Sequence, residues 1–297
     1  MQCSNSSRGG PGSLATFPNT SEIGRVLGEV RAAFVKDLRI YLRYPSWIAS
    51  EFITLPAWFV MFAIGVSSWV PKGQATAVFG STTVFNFFYW GFIFLIVFST
   101  SIWGIGQSIR TEQLQGTLEQ LFLAPVSRVT IIIGRFARTI LTDLAIIIYT
   151  VVLLGLLSHQ TVVVQNPLAL LLIFVFLEVA VLGFGFVFAA LTFRLKSFNV
   201  MANLAQFAVI GLCGVFFPLD ILPSPVRYVS LAIPFTYFVD LIRFAAVGSP
   251  SGGSTILDPA LEFVLAIFLA LALFVMGLGI FSVTEKKARE AGVIGNH

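Results

Sequence analysis

Two carboxylates carry the first chemical suggestion in this chain. Asp143 and Glu178 each lie inside a long apolar run, Asp143 a few turns from its start and Glu178 near its middle. A charge at mid-bilayer depth is expensive, so such groups are buried, paired or protonated. The pair suits a proton or substrate site. It equally suits neutral carboxyls hydrogen-bonded between packed helices, with Gly183 and Gly185 allowing close contact near Glu178 and with Arg135 or Arg138 within reach of Asp143. The cysteines are Cys3 and Cys213 and the histidines His159 and His297. No metal set or hydrolytic constellation can be assembled from so few, so far apart.

A second group is aromatic. One apolar run opens Phe85-Asn86-Phe87-Phe88-Tyr89-Trp90, and another carries Asn203 and Gln206 at i, i+3, followed by Phe207. Aromatic rings with a few amides suit a lipid-like, drug-like or sugar-lined route. Tyr89 and Trp90 suit an aromatic belt at a membrane interface equally well.

The elements that must position these residues follow from composition. Of 297 residues, 57% are hydrophobic and 11% charged, with 31 phenylalanines. Soluble domains average about 45–50% apolar and about 25% charged, so lipid is the expected solvent. Six runs are each long enough to cross a bilayer: roughly 48–70, 83–109, 130–157, 168–193, 200–217 and 259–283. The expected fold is an all-α membrane protein of six transmembrane helices. Residues 1–20, polar and without an apolar h-region, read as a disordered tail rather than a signal peptide. Over 21–44, Ile23, Val26, Leu27, Val30, Phe34, Leu38 and Tyr41 recur at helical spacing opposite Arg25, Glu29, Lys36, Arg39 and Arg43. That pattern predicts an amphipathic helix lying on the membrane surface, capped by Ser21 and stopped by Pro45. Residues 45–283 form the transmembrane domain and 284–297 a second short tail.

Charge sets the expected orientation. Fifteen of the 18 lysines and arginines fall before span one, between spans two and three or in the first turns of span three, between four and five, and after six. Only Lys72, Arg227 and Arg243 fall on the other side. The positive-inside rule then puts both termini in the cytoplasm of a multi-pass inner-membrane protein. The net charge of +4 serves topology, not nucleic-acid binding. The external stretch 218–258, apolar but broken by Pro218, Pro223, Pro225 and Pro234, predicts re-entrant or interfacial helices before span six. No duplicated halves are visible, which weakens a secondary-transporter reading.

The cytoplasmic stretch Arg110–Val129 has its own pattern. Glu112 and Gln113 sit in its first turn, Leu114, Leu118 and Leu121 form a stripe, Gly116 leaves bare backbone, and Pro125 ends the helix before Ser127 and Arg128. An apolar stripe facing the cytosol calls for a partner.

Glu112, Gly116, Thr117, Leu118, Glu119, Leu121, Pro125, Ser127 and Arg128 together resemble the cytoplasmic coupling helix of the ABC type-2 transporter permease family. The layout is similar throughout: a surface helix, six spans, a broken external segment, and a short basic tail. The resemblance implies a dimeric permease bound to two ATP-hydrolysing subunits, with this helix docked in the ATPase. It also implies that spans two and five, with Phe85, Asn86, Phe88, Asn203, Gln206 and Phe207, line the pathway at the dimer interface. The sequence has no Gly-x-x-x-x-Gly-Lys-Ser/Thr run, so ATP and Mg are expected on the partner ATPase, with no cofactor in this chain. The expected cargo is an amphiphilic drug or lipid, with a polysaccharide or lipid-linked glycan as the alternative. A proton-coupled transporter using Asp143 and Glu178 is the alternative of another class.

Overall fold

The computed structural model describes residues 20–69, 84–114, 128–158, 162–192, 198–248 and 255–290. Among them are nine α-helices, one 3-10 turn and no strands. The first two helices are α1 (Thr20–Arg43) and α2 (Pro45–Trp69), separated by Tyr44 alone. Pro45 therefore acts as the predicted stop and also opens α2, where a missing N–H costs nothing. Then come α3 (Val84–Leu114), α4 (Arg128–Ser158), α5 (Pro167–Thr192) and α6 (Phe198–Leu212). A turn at Leu219–Ile221 leads to α7 (Ser224–Ala232), α8 (Phe235–Val247) and α9 (Pro259–Glu290).

Among the described residues, four segments, against the six expected, are long and apolar enough to cross a bilayer: Phe85–Gly104, Val129–Leu153, Pro167–Leu191 and Pro259–Lys287. They match the second, third, fourth and sixth predicted spans. Helices stand at the other two, but with short apolar stretches, Ile48–Met61 in α2 and Asn199–Leu212 in α6. The predicted fifth span ran to residue 217. Instead α6 stops after 15 residues, about 22 Å of helix against an apolar thickness of about 30 Å. The stop is local: Gly214 takes φ +70, a left-handed conformation that glycine adopts without a Cβ penalty. Beyond it, α7 and α8 are bent by 88°, the geometry of a broken span or of a re-entrant loop. Counting that pair as one broken span gives five.

α5 is the hub of the bundle and packs against α3, α6, α8 and α9. It approaches α9 so closely that a Cβ on Gly183 would lie 2.5 Å from the main chain of Leu273. α8 is nearly enclosed, with ten of its residues buried, and packs on α3, α5 and α9. α1 does not lie on the surface unsupported. It crosses α4 at Gly134, where a Cβ would lie 2.5 Å from that of Ala33. The main chain of α1 at Val30 and Phe34 comes closest to Gly134, and both residues are half-buried, while Leu27 of the predicted stripe stays exposed.

Candidate functional site

The bundle has two ends. At one, α1 docks on the start of α4, and α3 and α4 run out to bracket residues 115–127. At the other, α3 and α9 begin, and the backbone amides of Gln165 and Asn166, just before α5, donate to the carbonyls of Ala246 and Ala245 in α8.

Asp143 is 2% exposed on α4. Its Oδ2 accepts a 2.8 Å hydrogen bond from the Thr100 hydroxyl of α3. Asp143 Oδ1 is buried with no hydrogen-bond partner among the described residues. Glu178 of α5 is buried also and lies within electrostatic reach of Asp143, as do Arg138 and Glu51 of α2. The two predicted carboxylates are therefore within electrostatic reach of each other, Asp143 on α4 and Glu178 on α5.

The arginines expected to serve Asp143 are engaged chiefly with other groups. Arg135 pairs with Asp37 of α1 at 3.3 Å. Arg138 hydrogen-bonds Thr142 at 3.3 Å and sits over the Tyr41 ring, 5.0 Å from its centroid. The Tyr41 hydroxyl donates to Glu51 at 2.6 Å. Burial first, and then the Glu51 carboxylate, push its ionisation above the usual phenol range, so it remains a proton donor. Charged and aromatic side chains thus tie α1 to α2 and α4.

The aromatic start of α3 faces inward. Tyr89 and Trp90 are 0% and 1% exposed, which places them inside the protein and not in a lipid-facing belt. Tyr89 packs edge-on against Phe59 of α2 at 5.5 Å, and Phe85 stacks on Tyr89 at 6.2 Å. Asn86 is buried, and its Oδ1 accepts from the Val163 amide at 2.9 Å. Phe88 is buried beside Phe216. On α6, Gln206 accepts from the Trp103 indole of α3 at 3.2 Å. Asn203 bonds to the Asn199 carbonyl of its own helix and is exposed. Phe207 is 69% exposed, beside exposed Val200 and Leu204. The predicted pathway residues of α3 and α6 thus separate into an inward set and an outward face.

Glu112 and Gln113 fall in the last turn of α3, and Arg128 is the first residue of α4. Gly116, Thr117, Leu118, Glu119, Leu121, Pro125 and Ser127 lie outside the described residues. Among the described residues no His/Cys/Asp/Glu group of three or more could hold a metal ion.

At the far end lies a cluster the sequence did not single out. Arg243 of α8 is 3% exposed. Its guanidinium donates to the carbonyls of Gly214, at 2.8 Å, and Val215, and lies 3.7 Å from the centroid of the Phe87 ring. Asp240, one turn earlier and buried, accepts from the Ile256 amide at 3.0 Å. Glu262 of α9 is wholly buried and accepts from the Leu257 amide at 3.4 Å. A clue was available: Asp240 and Arg243 stand at i, i+3 on an otherwise apolar 13-residue helix, which a buried pair explains better than a solvated face.

The family model described as ABC-2 type transporter matches residues 28–247, from within α1 to the end of α8. No curated protein matches the chain.

Proposed function

The chain belongs to the ABC-2 type transporter family, and from that premise we propose that it is an exporter permease, moving an amphiphilic drug or lipid outward. It is a multi-pass membrane component of an ABC transporter and not the ATPase. Export, by this reading, is driven by alternating access, with ATP and Mg held by a separate nucleotide-binding subunit. The permease functions as two copies in the inner membrane, with both termini in the cytoplasm and lipid around its outer face.

The observation that carries this reading is where the helices that flank the segment 112–128 stand. α3 leads into it and α4 leads out of it, at the same end of the bundle where α1 is fastened through Asp37, Tyr41, Arg135 and Arg138. A partner docked on the segment 112–128 would push on α3 and α4 directly and on α1 through those contacts. Rigid helices joined by side-chain contacts carry such a displacement into the bundle. The outward face of α6, with Val200, Leu204 and Phe207 exposed, supports a second copy packing there, since contiguous exposed apolar surface marks an interface or lipid.

Co-purification with an ATPase, and vanadate-sensitive hydrolysis that requires this chain, test the proposal. Replacing Gly116 or Glu119 is expected to leave insertion intact and to uncouple hydrolysis from transport. Transport driven by a pH gradient without ATP would overturn it. Faster efflux of amphiphiles than of glycans from proteoliposomes would support the cargo assignment, and the reverse would favour glycan.

A further inference from the structure

The far-end cluster has an asymmetry that bears on movement. Where α6 stops and Gly214 turns the chain, the carbonyls of Gly214 and Val215 are left without helical donors. Inside an apolar bundle such groups need partners. Arg243 supplies both. The same guanidinium rests on Phe87 of α3, 3.7 Å from the ring centroid. One turn further along α3, Gly91 presents bare backbone to the Val215 carbonyl, and a Cβ there would also come 2.9 Å from Arg243 Nη2. One cation therefore holds the end of α6, the start of α3 and α8 together.

Its contacts are of two kinds. On α8 itself the counter-charge is Asp240, one turn earlier and within electrostatic reach of the guanidinium, and it is fixed in turn by the Ile256 amide. Toward α6 and α3 they are contacts to neutral groups, two carbonyls and a ring. A buried charge separated from its counter-ion costs far more than one that exchanges neutral partners for water. If the cluster opens, it opens between Arg243 and the α6 end.

We propose that Arg243 is a latch that holds the end of α6 against α3, and that the transport cycle parts α6 from it there, opening the far end of the α3–α6 seam. This rests on the permease reading above. It adds the place where the seam yields.

Cys213, next to Gly214, is a free cysteine 1% exposed and serves as a native reporter. In a Cys3→Ser chain reconstituted with its ATPase, the rate at which N-ethylmaleimide modifies Cys213 is measured without nucleotide and after trapping with ATP and vanadate. The expected result is slow modification without nucleotide and a rise of about tenfold or more on trapping. Phe87→Leu, which removes the ring beneath the cation, and Gly91→Ala, which pushes the Val215 carbonyl away, should raise the nucleotide-free rate by a similar factor, about what loss of a desolvated cation–π contact gives. Arg243→Lys, which keeps the charge and one carbonyl bond, should be intermediate. Equal rates in the two nucleotide states, or unchanged nucleotide-free rates in folded Phe87→Leu and Gly91→Ala, would overturn the latch. An unfolded variant is recognised by aggregated elution and by a denatured-chain labelling rate that nucleotide does not alter. If no ATPase proves to be stimulated by the chain, the permease reading falls, while the nucleotide-free rates of the two variants still decide whether Arg243 holds α6 shut.

Discussion

The two ends of the bundle use the same residue types in opposite ways. At the α1 end, Arg135, Arg138, Asp37, Tyr41 and Glu51 join helices through pairs that water still reaches: the Arg135 and Asp37 side chains are 23% and 17% exposed. At the far end, Arg243, Asp240 and Glu262 are all but fully buried. Exposed ion pairs are weak and screened, so they can break and re-form. A buried charge binds its surroundings into one unit, because removing any member strands another. The difference suits an end that must receive a moving partner and an end that must open at one defined seam.

The largest expected effect is therefore at Arg243. Arg243→Met leaves the carbonyls of Gly214 and Val215 unpaired and Asp240 without its counter-charge. A loss of about 1–3 kcal/mol for each buried carbonyl left without its donor is expected, seen as a large fall in the midpoint of thermal unfolding in detergent. A fall no greater than that of a surface substitution would break the comparison, because Arg243 would then be an ordinary side chain in a yielding environment.

Between the ends lies the Thr100–Asp143 contact. Thr100→Val keeps the side-chain shape and removes the one hydrogen bond that reaches Asp143 Oδ2. With Oδ1 already unpartnered among the described residues, the carboxyl loses the hydroxyl that orders it. About 1–3 kcal/mol is expected, the cost of a buried acceptor left unsatisfied. Asp143→Asn, which still accepts from Thr100, should cost less. The reverse order would mean that the charge, and not the hydrogen bond, holds the position.

How far these ends could be read in advance differs for a physical reason. The α1 end was legible: the 3.6-residue stripe over 21–44 and the excess of Lys and Arg are one-dimensional patterns, and the helix formed where they placed it. What they could not show is that the main chain of α1 at Val30 and Phe34 comes close to Gly134, because that depends on a partner a hundred residues away. The fifth span was misjudged by hydropathy. Residues 213–217 are apolar enough to continue a helix, and the backbone turn at Gly214 overrides composition. Asp143 and Glu178 stand out as charges in apolar runs, and both are buried within electrostatic reach of each other. Arg243 enters the sequence reading only as a charge on the external side, with neither burial nor a partner assigned to it. Its burial comes from α8 folding back between α3, α5 and α9, a tertiary event that leaves only the i, i+3 spacing of Asp240 and Arg243 as a trace.

The smallest expected effect closes the comparison at the α1 end. A double-mutant cycle on Asp37→Asn and Arg135→Gln should return a coupling of about 0.2–1 kcal/mol at low salt. Both residues sit where water enters, so raising the salt should shrink that coupling toward zero as the Debye length falls below the size of the junction. Salt should not weaken the far end in this way, since no ions reach Arg243. A coupling at Asp37–Arg135 of several kcal/mol, insensitive to salt, would mean that α1 is welded to α4 as firmly as α8 is to α3. The α1 end could then no longer be the compliant one, and a push delivered to the segment 112–128 would have to move α1 and α4 as a single body.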